Sequence, residues 1–135
     1  MSKSSSNLFD GTVGSAADNP QLSLNLSSIN ENIKILSKNF NISKSGYFGK
    51  RGKSSKVRVI ESKNQFKTAQ QFWNNLSKNG TISQLPNKSG IIVQFQDKSY
   101  ATYRIKTSTK DSPAIDIQIV NHDLVKSQKI HFIKE

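Results

Sequence analysis

Apolar residues recur at helical spacing in two stretches of the chain. Ile29, Ile33, Leu36 and Phe40 share one helical face, and Ser28 followed by Glu31 has the spacing of a capping box, so the pattern predicts a helix over Ser28 to Phe40. Further along, Phe66, Ala69, Phe72, Trp73 and Leu76 form a second stripe. Asn64 stands where an N-cap is wanted and Gly80 where a C-terminal cap is wanted.

After Gly80 the period changes from 3.6 to two. The runs Thr81 to Leu85, Gly90 to Gln96, Tyr100 to Lys106, Ala114 to Val120 and Gln128 to Ile133 read as strands joined by short, turn-like gaps. Short gaps imply antiparallel neighbours. The expected fold class is therefore α+β, with N-terminal helices packed on a four- to five-stranded antiparallel sheet.

Alternation divides each strand between two faces. One face collects Ile91, Val93, Phe95, Ala101, Tyr103 and Ile105, continued by Ile115, Ile117, Ile119, Ile130 and Phe132, and is the expected core. The other carries Tyr100, Thr102, Arg104 and Lys106, then Asp116 and Gln118, then Lys129 and His131. An exposed face is polar in most antiparallel sheets, so polarity alone assigns it no role.

Two stretches show no period. Residues 1–26 are mainly Ser, Asn, Gly, Ala and Asp and read as a flexible linker, leaving 27–135 as a single domain. The run SKSGYFGKRGKSSK, ending at Lys56, has a glycine at every third position from Gly46 to Gly52 and no acidic residue. It reads as an exposed loop.

Composition sharpens this picture. The 135 residues carry 20 Lys and Arg against nine Asp and Glu, a net charge of +11 that attracts polyanions. The absence of cysteine removes disulfides, thiolate nucleophiles and Cys-type zinc sites. The first residues lack an apolar signal core and no eighteen apolar residues run together, so no signal peptide or membrane span is expected.

The polar face has the residue types for cutting RNA without a metal. That reaction uses the 2′-hydroxyl as nucleophile and needs a base, an acid and cations over the phosphoryl oxygens. His131 titrates nearest neutrality and is the candidate proton carrier, while Arg104, Lys106 and Lys129 are the candidate cations. Asp116 could orient a histidine or lysine, or form a structural salt bridge. Thr109, with Thr107 and Ser108, could hold a phosphate or simply make a turn. His122, the second histidine, lies in a loop where such residues are commonly idle.

In the glycine-rich loop, Tyr47, Lys50, Arg51, Lys53 and Arg58 mix rings that stack on bases with cations that follow a phosphate backbone. The bland alternative is a solvated loop. The loop lacks GxxxxGK[ST] spacing, no Gly-x-Ser-x-Gly elbow occurs, and the acidic residues are scattered. No cofactor and no metal site is expected.

The stretches GYFGKRGKSSKVRVI with AQQFWNNLSKNG, and YATYRIKTSTKDSPAIDIQI with QKIHFIKE, resemble the C-terminal toxin domains of bacterial polymorphic toxins. These are deployed in contact-dependent growth inhibition and by wall-associated secreted proteins. The resemblance runs from Gly46 to Glu135 and touches Arg104, Asp116, Lys129 and His131. It implies a fold of the barnase, EndoU, colicin and RelE group, and ribonuclease activity, often on tRNA. It further implies delivery on a secreted or surface carrier, action in the target-cell cytoplasm, a cognate, usually acidic immunity protein, and in some cases a host activating factor. Paired histidines of the EndoU kind are missing.

The leading expectation is thus a metal-independent endoribonuclease toxin domain. The alternatives are a noncatalytic basic nucleic-acid-binding module, for which His131 is dispensable, and a domain that presents its basic face to an acidic protein.

Overall fold

A computed structural model describes residues 28–86, 89–120 and 124–135. The expected linker and His122 lie outside the described residues.

The first helix, α1, spans Ser28–Asn39. It buries Ile29, Ile33 and Leu36 completely, as their spacing requires. The second, α2, spans Gln65–Leu76, and the Asn64 side chain accepts a hydrogen bond from the Lys67 amide at 3.2 Å, the expected N-cap. Its C-terminus departs from expectation. Ser77 is the C-cap and Asn79 takes the left-handed turn at φ 67°, while Gly80 is required by close approach. A Cβ at Gly80 would lie 2.3 Å from Val93 Cγ2.

The strands are β1 (Lys50–Arg51), β2 (Val57–Ser62), β3 (Thr81–Gln84), β4 (Ile91–Gln94), β5 (Tyr100–Arg104), β6 (Ala114–Gln118) and β7 (Gln128–Lys134). The fold class is α+β, but the sheet is larger than expected and mixed. Seven strands run in the order β1-β2-β7-β6-β5-β4-β3, all antiparallel except the parallel pair β2–β7.

Among the described residues α1 alone precedes the first strand; α2 lies between β2 and β3. This placement explains the parallel pair. From β2 the chain crosses in α2 to the far edge, lays down β3, and returns strand by strand until β7 docks beside β2 pointing the same way. Parallel neighbours need such a long crossover.

The extra strands come from the stretch read as a loop and from its flank. Gly49, at φ 60°, sits so close to β2 that a Cβ would lie 2.3 Å from the Val59 carbonyl. That approach lets Lys50 and Arg51 pair with Val59 and Arg58 as an edge strand.

The second helix, α2, packs on one face of the sheet, chiefly against β7, and α1 packs on α2. Phe72 is the hub, with Phe40, Phe48 and Phe132 edge-on at centroid distances of 5.1, 5.1 and 5.6 Å. Trp73 lies 5.6 Å from Tyr103. Edge-on aromatic pairs are worth ~0.5–1.5 kcal/mol beyond their buried area, so this cluster ties helix, loop and sheet together. The expected core face holds, with one exception: Ile105 is 58% exposed because β5 ends at Arg104.

Candidate functional site

The register of the sheet sets the polar face in rows. Thr102 pairs with Asp116, and Asp116 with Lys129. In the next row Arg104 pairs with Ala114, and Ala114 with His131. Strands lie ~4.8 Å apart, so His131 and Arg104 stand on the order of 10 Å apart with only the Ala114 methyl group between them.

The small side chain leaves a hollow. Thr102, Arg104, Asp116 and Lys129 line a cleft of about 130 Å³ with Ala114, and Thr107 and Ser108 form its wall beyond the end of β5. Among the described residues, neither Arg104 nor Lys129 forms an ion pair; the pairs present are Lys34–Glu31 and Lys50–Glu61. The cleft therefore keeps two cations whose charge is not neutralised by a direct partner.

His131 is half-buried beside this cleft. Burial, reinforced by the ammonium groups of Lys129 and Lys53, holds its pKa below the ordinary 6.5. The imidazole is thus mainly neutral at pH 7, the form that accepts a proton. Its Nδ1 lies 3.3 Å from the hydroxyl oxygen of Ser112, which is 1% exposed. With the ring proton on Nδ1 donated to that oxygen, Nε2 presents a free lone pair.

The segment carrying Ser112 is itself fixed. The Thr107 hydroxyl donates to the Ser112 carbonyl at 2.7 Å, and the Phe132 amide donates to the Pro113 carbonyl at 2.9 Å. Nothing in the sequence pattern singles out Ser112, since a serine before a proline at a strand start reads as turn chemistry.

Asp116 does not hold His131. It occupies the neighbouring row, opposite Lys129, and accepts a hydrogen bond from Gln118 Nε2 at 2.9 Å. Lys106 and Thr109 do not share the cleft with Arg104. The strand stops before them, and the loop turns both toward a second hollow on the other side of Thr107 and Ser108. The Thr109 amide donates to Thr107 Oγ1 at 3.2 Å, which makes it part of the turn.

The glycine-rich segment divides into structural and solvent-facing residues. Tyr47 is only 8% exposed, with the Arg58 guanidinium 5.1 Å and the Lys126 ammonium 5.9 Å from its ring centre, so its face is not free to stack on a base. Arg58 is buried and donates to the carbonyls of Phe48, Ser55 and Gly49 at 2.8, 3.1 and 3.0 Å. It ties the loop to β2, with its guanidinium turned to backbone carbonyls and away from solvent. Phe48 is fully buried in the core.

Lys50 pairs with Glu61 at 2.7 Å, and this hydrogen bond raises its pKa. Arg51 and Lys53 remain exposed, and Lys53 is near enough to His131 to disfavour its protonation. Of the expected RNA-binding residues, Lys53 alone thus joins the loop electrostatically to the histidine on the sheet.

Among the described residues, no three His, Cys, Asp or Glu side chains gather as a metal site, and no helix is long and apolar enough to cross a membrane. No family model, curated protein or solved structure matches the chain. The site is therefore read from its own geometry.

Proposed function

We propose that this chain is a metal-independent endoribonuclease, acting by transesterification at the 2′-hydroxyl. The observation that carries this reading is a half-buried His131, its pKa held below 6.5, beside a cleft lined by Arg104 and Lys129, neither of which is in an ion pair. A base with a depressed pKa next to fixed positive charge suits proton abstraction followed by charge build-up on phosphorus.

In the proposed reaction, Nε2 of His131 takes the proton from the ribose 2′-hydroxyl. The 2′-oxygen attacks phosphorus, the bond to the 5′-oxygen breaks, and that oxygen leaves after taking a proton from solvent. The products are a 2′,3′-cyclic phosphate and a free 5′-hydroxyl. Arg104 and Lys129 stabilise the non-bridging oxygens. Ser112 holds the imidazole through Nδ1. The exposed cations Arg51 and Lys53 guide the RNA backbone to the face.

The resemblance to polymorphic toxin domains supports a toxin role for this activity, with tRNA as substrate and an acidic immunity protein as partner. Delivery on a larger carrier and action in the cytoplasm of a target cell belong to the same proposal, as does a host activating factor.

The test is incubation of the purified chain with total RNA and, separately, plasmid DNA, with and without EDTA. Discrete RNA fragments ending in a cyclic phosphate, insensitive to EDTA and lost in His131→Ala, are the expected result. Cleavage at the parental rate by His131→Ala overturns the assignment. Binding without cleavage favours the noncatalytic module.

A further inference from the structure

Phe66 belongs to the apolar stripe of α2 by spacing, yet it is 39% exposed. The preceding residue takes the inward place: Gln65 is buried, and its Nε2 donates to the Asp111 carbonyl at 3.0 Å. This bond fastens the start of α2 to the loop after β5. It leaves the Phe66 ring on the surface beside Ile105, which is also solvent-exposed.

These two apolar side chains, far apart in sequence, meet in one hollow of about 450 Å³. Lys106 and Lys110 stand on its rim with Asp111, and among the described residues neither lysine forms an ion pair. The wall of this hollow is Thr107 and Ser108, the same residues that wall the cleft holding Arg104 and Lys129. An apolar floor with a cationic rim thus lies one loop thickness from the candidate phosphate site.

We infer that this second hollow is a nucleobase subsite in which Phe66 stacks on a base of single-stranded RNA adjoining the phosphate held by Arg104 and Lys129. The inference rests on the reading of the chain as an RNA-binding protein, though not on cleavage. Ring and cation have separate duties. A base has an apolar face at every sequence, so Phe66 supplies affinity, while Lys106 and Lys110 hold the flanking phosphates. Asp111 also lines the hollow, and its carboxylate, accepting from a base amino group, would give the subsite a preference for bases bearing one. An acidic protein would satisfy the lysines but has no requirement for a ring continuous with a phosphate cleft.

The probe is a single-stranded 2′-O-methyl oligonucleotide, which lacks the attacking hydroxyl, carrying 2-aminopurine at one position. The full chain is expected to bind it with quenching of the 2-aminopurine fluorescence. Phe66→Ala should weaken binding about 5- to 150-fold, the equivalent of ~1–3 kcal/mol per stacked base, and lose the quenching. Phe66→Tyr, which keeps the ring, should retain both.

The slope of log affinity against log salt should be the same for Phe66→Ala as for the parent, because a ring releases no counterions. Lys106→Ala and Lys110→Ala should each make it shallower. With an abasic oligonucleotide the parent and Phe66→Ala should bind alike. The thermal midpoint of Phe66→Ala should match the parent, since the ring is outside the core.

Equal affinity of the parent and Phe66→Ala for the 2-aminopurine oligonucleotide overturns the inference, as does failure of the parent to bind. Stacking on Phe66 in a chain that cannot cut ordinary RNA sustains it and removes the nuclease reading instead. Cleavage that is indifferent to Phe66 in both rate and affinity does the opposite.

Discussion

The Ser112 hydroxyl oxygen stands 3.3 Å from Nδ1 of His131, at the foot of a strand whose next residues carry Ala114 and Asp116. A buried hydroxyl on one ring nitrogen leaves the other for chemistry. Ser112→Ala should therefore change the ratio of His131 tautomers, seen as altered ¹⁵N shifts of the imidazole. It should reduce cleavage less than His131→Ala does. Unchanged tautomer populations in Ser112→Ala would remove the positioning role.

The pH dependence of stability follows from the same ring. The folded-state pKa of His131 lies below its unfolded value of 6.5, so below that pH the unfolded chain binds a proton that the native imidazole resists. The contribution of His131 is fully present above 6.5 and is lost as pH falls through the folded pKa. Parent and His131→Gln should diverge in thermal midpoint on acidification below 6.5, the parent falling faster; parallel curves would show that the ring is not held neutral.

Removing a neighbouring positive charge should move the acidic limb of the rate profile. Lys129 and Lys53 both oppose protonation of His131, so Lys53→Gln should raise the pKa of the base and shift the limb of kcat/KM to higher pH. Lys129→Gln should do the same and lower the rate as well. A limb that stays in place in Lys53→Gln would separate the glycine-rich loop from the site.

Arg104 is exposed and outside the core, so its loss is expected to spare the fold. Arg104→Ala should lower kcat by roughly 10²–10³-fold, the range for removing one group that stabilises a developing oxyanion. Its unfolding free energy should stay within about 0.5 kcal/mol of the parent. A drop in stability without a drop in rate would reverse that assignment.

Arg58 should behave in the opposite way. Its guanidinium serves three backbone carbonyls in a buried position, and Arg58→Met would leave Phe48, Ser55 and Gly49 carbonyls without it. A loss of about 2–5 kcal/mol is expected in denaturant unfolding, from several strong hydrogen bonds and newly unpaired acceptors. Arg51→Ala, on the exposed edge, should leave stability nearly unchanged.

The contrast between Arg58 and Lys53 marks the boundary of what the sequence discloses. Both are basic residues in or beside a glycine-rich run, and composition assigns them one role. Arg58 faces inward because β2 places it opposite the buried Ile130, with its guanidinium beside the Tyr47 ring, and that depends on a strand pairing that composition does not record. The meander from β3 to β7 is legible because turns are short and the period of two is sustained. β2 is concealed because Arg58 occupies an inward position where the pattern calls for an apolar side chain.

For the site, alternation correctly puts Arg104, Asp116, Lys129 and His131 on one face, since a period of two leaves no other choice. It cannot locate the end of β5, so it extends the polar face to Lys106, which the strand does not reach. Nor can it rank small residues. Ala114 and Ser112 matter through what they leave open and what they touch, which hydropathy does not record.

The parallel pairing of β2 with β7 also has a kinetic meaning. Gln128 on β7 accepts from the Phe48 amide at 2.8 Å across a separation of 80 residues, and no local segment can form that contact early. Folding of a sheet closed by such distant partners is expected in the slow range for small domains, milliseconds to seconds. His131 rides on the strand that makes the closure. Because His131 sits on that strand, the candidate site is expected to form only with the global fold, and any RNA cleavage should disappear together with the native sheet.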